Sequence, residues 1–393
     1  MKYNPWTLAL IGAGLVSLPA ATQADEKQSS VMTALSGTTL SGYVNTSAHW
    51  VPGSAPTTGG YAFAGPSVGT SQKDDGFNLN VVDLAISKPL GEGDWSSGYK
   101  AELWFGPDAN ALVNNSLGGN TSDFNIKQAY VELGIPVGNT IDVKMGVWDT
   151  IIGYETQNAG DNPNYTRSWG NTVEPTQHTG LLASYKVNDV LNVAAGVGNT
   201  WDSRINGRTG NPPYESRKTY MGSLTLTAPE SLGALKGATL TACVIDGRKS
   251  GAAGNTPPDI TSIYIGATVP TPLTGLTVGA AWDHVNLTGD PQKAPPSHDT
   301  DVYGAYLSYK ATEKLTLNLR GEYVHWGDVV TAPGFAAGDQ DLEVTATLDY
   351  ALWKDVVSRV EYRWDHDLKD ANHFGSGKRD NDHLIALNVI YKF

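Results

Sequence analysis

The stretch LEVTATLDY, residues 342–350, alternates strictly between two kinds of side chain. Its apolar positions are Leu342, Val344, Ala346, Leu348 and Tyr350, and between them lie Glu343, Thr345, Thr347 and Asp349. Because a β-strand places successive side chains on opposite faces, the stretch predicts a strand with one apolar and one polar face. The same alternation recurs in 99–105, 315–323, 356–364 and 384–393.

Alternating segments of roughly ten residues fill the chain from Thr38 onward, while a 3.6-residue helical period is almost absent. Each segment is bounded by turn-forming residues. We predict sixteen strands, over 39–50, 77–89, 96–106, 123–135, 140–151, 178–187, 190–201, 218–228, 236–247, 260–270, 274–287, 300–311, 314–327, 341–352, 355–366 and 383–393.

The connections between these strands alternate in length. Seven are short, such as VND (187–189), and eight are long and rich in Gly, Asn, Asp and Pro, such as 152–177. Tight turns at one end and long loops at the other are typical of outer-membrane barrels, which have an even number of strands. A closed sheet also pairs every backbone N–H and C=O group, as lipid requires. The pattern predicts an all-β fold, a transmembrane antiparallel up-and-down β-barrel over 38–393.

The N-terminus has the features of a secretory signal. Lys2 precedes an apolar run, WTLALIGAGLVSLPA (6–20), which is too short to cross a bilayer comfortably. We predict a signal peptide over 1–24 and a short periplasmic segment over 25–37; an uncleaved anchor helix is the alternative.

Composition excludes several classes of function. A net charge of −13 argues against a nucleic-acid partner, and a single cysteine, Cys243, cannot form a disulfide within the chain.

The motif GPSVG (65–69) matches the nucleophile elbow of hydrolases, but it lies in a Pro/Gly-rich loop rather than between a strand and a helix. We predict no enzymatic activity, no catalytic residue, no metal site and no cofactor.

The charged face of the predicted barrel must be the lumen, because each Arg or Lys facing lipid near the midplane costs roughly 2–4 kcal/mol. The acids on this face slightly outnumber the bases, so we expect a weak cation preference; the alternative is that the charges pair and only solvate the wall. The lumen wall candidates are Lys100, Glu102, Lys144, Arg320, Glu322, Arg359, Glu361 and Arg363, with Asp83, Glu132, Asp142, Glu343 and Asp349 as further acids.

Aromatic residues fall on both predicted faces. Trp104 and Trp148 are on the lumen side, where they would either stack on sugar rings or pack beneath a loop. Outward aromatics are favoured at the membrane interfaces. The predicted girdle residues are Tyr323, Tyr362, Trp364, Tyr391 and Phe393.

Several stretches resemble one bacterial family, the outer-membrane β-barrel porins of the OmpL-like type. The likeness is strongest over 40–230, and it continues afterwards as strand rhythm. It is carried by GFNLNVVDLAISKPLGEGDWSSGYKAELWFGPDAN (76–110), IKQAYVELGIPVGN (126–139), GVWDTIIGYE (146–155), and NPNYTRSW with EPTQHTG (within 162–180). The resemblance implies a channel in a Gram-negative outer membrane and names no substrate. Tyr391 and Phe393 resemble the assembly signal read by the barrel-insertion machinery.

The third long loop, 152–177, resembles in position the loop of general porins that folds inward to form a constriction. Its candidate constriction residues are Glu155, Asp161, Arg167, Trp169 and Glu174. An ordinary outward loop is the alternative.

Four acidic triplets, at 299–301, 339–341, 365–367 and 380–382, are predicted in long loops. Close carboxylates suit Ca²⁺ or Mg²⁺, which would bridge them to lipopolysaccharide phosphates; solvated loop charge is the alternative.

These features predict an outer-membrane porin for passive diffusion of small hydrophilic solutes and ions. Two alternatives stay open: a channel selective for sugars or another nutrient, and a structural or adhesive barrel with a plugged lumen. The expected partners are outer-membrane lipid, lipopolysaccharide and the assembly machinery, and the analogy with general porins predicts a homo-trimer.

Overall fold

The computed structural model describes residues 37–52, 73, 75–91, 93, 95–109, 123–209, 217–250, 259–288, 299–327, 339–369, 374 and 379–393. The predicted signal peptide and residues 25–36 lie outside this part of the chain. Sixteen antiparallel strands close into one barrel. They are β1 Thr39–Trp50, β2 Gly76–Lys88, β3 Ser96–Phe105, β4 Phe124–Ile135, β5 Ile141–Asp149, β6 Gln177–Lys186, β7 Leu191–Gly198, β8 Thr219–Thr227, β9 Thr239–Arg248, β10 Asp259–Pro270, β11 Leu276–Thr288, β12 Asp299–Lys310, β13 Leu315–His325, β14 Gln340–Trp353, β15 Val356–Asp367 and β16 Asn381–Lys392.

The predicted fold class and strand count are confirmed. The largest differences in strand ends are three residues, at the end of β7 and the start of β9. Before β9, the segment Glu230–Leu235 forms a short 3₁₀ helix and Gly237 turns with a φ of 80°, so the strand begins only at Thr239.

The seam between β1 and β16 closes the barrel. Each strand pairs with its neighbours along the chain, and β1 pairs with β16 from Tyr43–Lys392 to Trp50–Ile385. Beyond the last ladder pair, Gly42 and Phe393 exchange two backbone hydrogen bonds of 3.0 Å. None of the sixteen described strands is therefore left with an unpaired edge, which is the condition for a sheet to sit in lipid.

The outer surface of the barrel is apolar in the way that the alternation predicts. In β16 Ile385, Leu387, Val389 and Tyr391 face outward, while the intervening residues are buried inside. Phe393 is 41% exposed on the outside. The helices in the described ranges are short, and none of them has the length and apolar character needed to cross a bilayer.

The inner surface is not uniformly polar, which corrects the expectation of a charged, wet lumen on every side. The inward residues of β8–β12 form an apolar wall, which includes Met221, Cys243, Ile245, Ile260, Tyr264, Val285 and Val302. Both faces of these strands carry apolar or small residues, so the two-residue period that marked the lumen elsewhere is weak here.

The four acidic triplets lie mainly at strand ends rather than in loops. Their carboxylates bind protein groups: Asp301 is 2.9 Å from His284 Nδ1, Asp341 accepts the Trp326 indole N–H at 2.6 Å, and Asp365 pairs with Arg363. No group of three or more His, Cys, Asp or Glu side chains in the described ranges is arranged to hold a metal ion.

Candidate functional site

The loop over residues 150–176, here called the inner loop, runs inside the barrel between β5 and β6. Its middle bonds to strands far away in sequence: Asn164 donates to Thr347 Oγ1 at 2.7 Å, and Asn318 donates to the Pro163 carbonyl at 2.9 Å. Both partners are inward-facing residues, on β14 and β13. The inner loop therefore crosses the lumen to the opposite wall.

The two ends of the inner loop pack against the apolar wall. Ile151, Ile152 and Val173 join its cluster of buried residues, and the Tyr154 ring stacks on Tyr306 with centroids 3.9 Å apart. A glycine is required at Gly153, whose φ is 115° and whose Cβ would meet the Glu174 carboxyl group. On this side the inner loop is packed closely against the strands.

The middle of the inner loop is held by charged residues of β13–β15, here called the anchor wall. Arg320, which has no exposed surface, donates to Glu155 at 2.7 Å and to the Thr166 carbonyl at 2.9 Å. It also bonds Glu343 from the same wall at 3.1 Å. Since a buried charge is tolerated only when paired and hydrogen-bonded, these contacts fix the loop against the wall.

A short helix in the inner loop, α1 (Trp169–Val173), begins on another anchor-wall carboxylate. Glu322 accepts the backbone N–H groups of Trp169 at 2.7 Å and Gly170 at 3.1 Å, and Ser168 caps the helix by accepting the Asn171 N–H. These N–H groups have no partner within a helix, and a carboxylate there is favoured by the helix dipole.

Further anchor-wall residues bind main-chain atoms of the inner loop. Glu361 accepts the Thr166 N–H at 2.9 Å, and Arg363 donates to the Arg167 carbonyl at 2.7 Å. Arg359 reaches two carbonyls, those of Ala159 and Asn162, at 2.8 and 2.7 Å.

A cavity of about 320 Å³ lies on the remaining side of the inner loop, between it and β1–β6. Four lysines line it, and three of them pair with acids that also line it: Lys100 with Glu102 at 2.6 Å, Lys144 with Glu132 at 3.7 Å, and Lys392 with Asp161 at 3.4 Å. The fourth, Lys88, lies exposed at the end of β2. Its further polar lining includes Tyr43, Asp83, Gln128, Trp148, Asp149, Glu155, Gln157, Asn158, Asn171 and Glu174.

The structure divides the predicted site residues into two groups. Those lining the cavity are Glu155, Asp161 and Glu174 from the inner loop, with Lys100, Glu102 and Lys144 from the wall. The others bind the loop to the anchor wall: Arg167, Trp169, Arg320, Glu322, Arg359, Glu361 and Arg363. The predicted lumen bases thus lie on two sides of the barrel, with the lysines lining the cavity and the arginines bonded to loop atoms.

The Trp169 side chain of the inner loop contacts two residues of the anchor wall. Its indole N–H donates to Asp365 at 2.9 Å, and the Arg363 guanidinium lies 5.0 Å from its ring centroid. Trp104 and Trp148 are buried inside as predicted; Trp148 lines the cavity, whereas Trp104 lies near the Lys127 ammonium.

Several cavity residues carried no signal in the sequence. Gln157, Asn158 and Asn171 reach the cavity only because of the path of the inner loop, and Lys392 only because that loop descends to the end of β16. Loop conformation is set by long-range contacts that a residue pattern does not encode.

Burial changes the acidity of one loop residue in the cavity. Burial, together with the neighbouring carboxyl group of Asp283, raises the pKa of Glu174 well above its ordinary value. The shift favours the protonated, uncharged form of Glu174, which contributes to the cavity as a hydrogen-bonding group.

A closed barrel of sixteen antiparallel strands, with an apolar outside and a loop folded into a charged lumen, defines an outer-membrane porin. The chain belongs to the family described as "Putative beta-barrel porin-2, OmpL-like", which matches residues 37–393. It is an outer-membrane channel protein of the Gram-negative envelope.

Solved porin structures share the fold at low sequence identity. The anion-selective porin from Comamonas acidovorans is 15% identical, with 91% of this chain and 99% of that chain covered and a TM-score of 0.59. The outer-membrane channel DcaP of Acinetobacter baumannii is 16% identical, with 91% and 97% covered and a TM-score of 0.58. OmpT of Vibrio cholerae, in its trimer form, is 13% identical, with 91% and 99% covered and a TM-score of 0.55.

A curated relative is similar over a shorter stretch. Outer membrane protein A of Escherichia fergusonii is 29% identical over 101 residues, which is 25% of this chain and 37% of that protein. The chain therefore spans little more than a third of that relative's length.

Proposed function

We propose that small hydrophilic solutes and ions diffuse through this porin along the cavity between the inner loop and β1–β6. The observation that carries the proposal is the extent of the cavity. Its lining runs from Thr150 and Thr176, at the long-loop ends of β5 and β6, to Lys88 and Pro89 at the short turn after β2. Elsewhere the inner loop is packed against the apolar wall or bonded to the anchor wall.

The constriction of this route is formed by the inner loop and the facing strands. Asp161 faces the cavity from the loop, and Lys100 and Lys144 face it from β3 and β5. Acids and bases on opposite sides of a narrow passage create a transverse field that orients polar solutes.

The charge of the cavity supports a weak preference for cations. Three of its four lysines are paired with acids, and the fourth, Lys88, lies exposed at the end of β2, whereas the buried Asp83 forms no ion pair within the described part of the chain. When ionised, an acid without a basic partner attracts cations into a narrow passage.

Conductance in a planar bilayer under a KCl gradient tests this function. We expect large ohmic steps and a reversal potential on the cation-selective side, and Asp83→Asn should move that potential toward zero. The control is Glu230→Gln, because Glu230 lies exposed in the short turn after β8. A reversal potential on the anion side would contradict the cation preference.

A structural barrel with a plugged lumen is the second candidate, and the burial of the inner loop favours it. Residues of the loop pack on the apolar wall and bond along the anchor wall. Protein that is folded and inserted but never conducts would support this candidate against the first.

The assembly and partners of the protein are also proposals. The trimer form of OmpT supports a homo-trimer, which light scattering in detergent would measure. The outward positions of Tyr391 and Phe393 at the seam are compatible with a signal for the assembly machinery. Lipopolysaccharide as a partner and the lack of enzymatic activity remain predictions from the sequence.

A further inference from the structure

We propose that the cavity is a binding site for a small polyhydroxylated solute with a primary ammonium group, of the size of an amino sugar. The inference rests on the proposed route, because it names the class of solute that would bind along that route. It is carried by unpartnered buried polar atoms, the position of one unpaired carboxylate and the size of the cavity.

Seven buried polar atoms of residues that line the cavity have no hydrogen-bond partner within the described part of the chain. They belong to residues of both sides: Tyr43 (Oη), Asp83 (Oδ1), Glu102 (Oε1) and Trp148 (Nε1) from the strands, and Gln157 (Oε1), Asn158 (Oδ1) and Asn171 (Nδ2) from the inner loop. Glu102 and Trp148 are each only 1% exposed. A buried polar group without a partner is costly, so this arrangement favours a ligand that supplies partners.

The seven atoms require both donors and acceptors from a ligand. The nitrogens of Trp148 and Asn171 donate hydrogen bonds, and the Tyr43 hydroxyl can donate or accept. The remaining four are acceptor oxygens, of Asp83, Glu102, Gln157 and Asn158. A hydroxyl group does both, because it carries one donor hydrogen and two lone pairs. Several hydroxyl groups on one compact frame would therefore satisfy the set better than a purely anionic or apolar solute.

The acidic residues around the cavity favour a ligand that carries one cationic group. Glu102 uses its other oxygen for Lys100 and for the Gln128 amide, which donates at 2.9 Å. Asp83 lines the same part of the cavity and forms no ion pair among the described residues. A primary ammonium group brings three donors and a positive charge, which matches Asp83 and the free Glu102 oxygen.

The size of the cavity fits a single six-membered ring. At about 320 Å³ it lies at the lower end of the range of small-molecule sites, which is roughly 300–1,000 Å³. A ring with four or five polar substituents can touch both sides of such a cavity, whereas an apolar solute would leave the polar atoms without partners.

Block of single-channel current by three matched solutes tests the inference on the full chain. Glucosamine, glucose and glucuronate share one ring size and differ in charge. We expect glucosamine to half-block the current at a concentration at least about tenfold below that of glucose, and glucuronate to block least. Equal block by glucose and glucosamine, or strongest block by glucuronate, would overturn the proposed ligand class.

Two variants separate the parts of the site. Asp83→Asn should raise the half-blocking concentration of glucosamine by about tenfold and leave that of glucose unchanged, because only the ammonium group needs the carboxylate. Gln157→Leu should weaken block by both solutes, while Glu230→Gln should weaken neither. Protein that inserts without conducting would overturn the proposed route, whereas a conducting channel whose Asp83→Asn variant keeps its full glucosamine block would overturn the inference alone.

Discussion

The anchor wall and the inward faces of β1–β6, here called the cavity wall, present the same kinds of residue to the barrel interior, but their partners differ. On the anchor wall, Arg320 and Glu361 bind atoms of the inner loop. On the cavity wall, Lys100 and Lys144 pair with acids of β3 and β4 and line open space. A charged residue in an alternating strand therefore predicts only that its side chain points into the barrel. The path of the inner loop decides whether that side chain holds the loop or lines the route of the solutes.

The largest expected effect comes from removing the central guanidinium of the anchor wall. Arg320→Met leaves Glu155 and Glu343 buried without this partner, and breaking a buried pair in this way costs about 3–5 kcal/mol. We expect the inner loop to leave the wall, raising single-channel conductance and exposing residues 150–176 to added protease.

The matched variant is Lys100→Met on the cavity wall. Glu102 keeps its hydrogen bond from Gln128, so we expect the inner loop to stay in place and only the ion preference to change. If both variants raised the conductance equally, the division into two walls would be wrong.

A smaller effect is expected where one carboxylate holds the loop backbone. Glu361→Gln removes the charge that accepts the Thr166 N–H and the Thr347 hydroxyl, and hydrogen bonds to charged groups contribute about 1.5–3 kcal/mol. We expect brief fluctuations of the open-channel current as the loop moves. Glu132→Gln, on the cavity wall, should leave the current steady.

Two tryptophans allow a third comparison, of indole N–H groups with and without a partner. Trp169→Phe loses the bond to Asp365, which should lower the free energy of unfolding by about 1–2 kcal/mol. Trp148→Phe loses an N–H without a partner in the described ranges, so denaturant titration should show a smaller loss. A larger loss for Trp148→Phe would contradict the roles given to the two walls.

The smallest effect is expected from a rise in pH. Because burial and Asp283 raise the pKa of Glu174 above its ordinary 4.5, the folded state holds a proton that the unfolded state releases. The associated stability is complete below the ordinary pKa and is lost as pH rises through the raised pKa. Current fluctuations should therefore increase as the pH rises above the ordinary pKa of 4.5, and Glu174→Gln should abolish this trend. A trend that persists in the variant would assign it to another group.

The strands were predictable because lipid on one side enforces a two-residue period, as in Leu342 to Tyr350. The inward positions of Lys100 and Arg320 were predicted from the same period. The different roles of these two residues could not be predicted, because the roles depend on loop contacts that span more than 150 residues, such as that of Arg320 with Thr166. The apolar wall was missed because residues such as Ile245 and Val285 resemble lipid-facing ones in sequence.

The aqueous route along the cavity is the central feature of the proposed channel. Two small inward residues on neighbouring strands test it: Ala85 lines the cavity, whereas Ser47 lies 2.9 Å from the Tyr165 hydroxyl beneath the inner loop. A positively charged methanethiosulfonate reagent should reduce the conductance of Ala85→Cys in discrete steps and leave Ser47→Cys and the wild type, with its buried Cys243, unchanged. Modification of Ser47→Cys but not of Ala85→Cys would contradict the account.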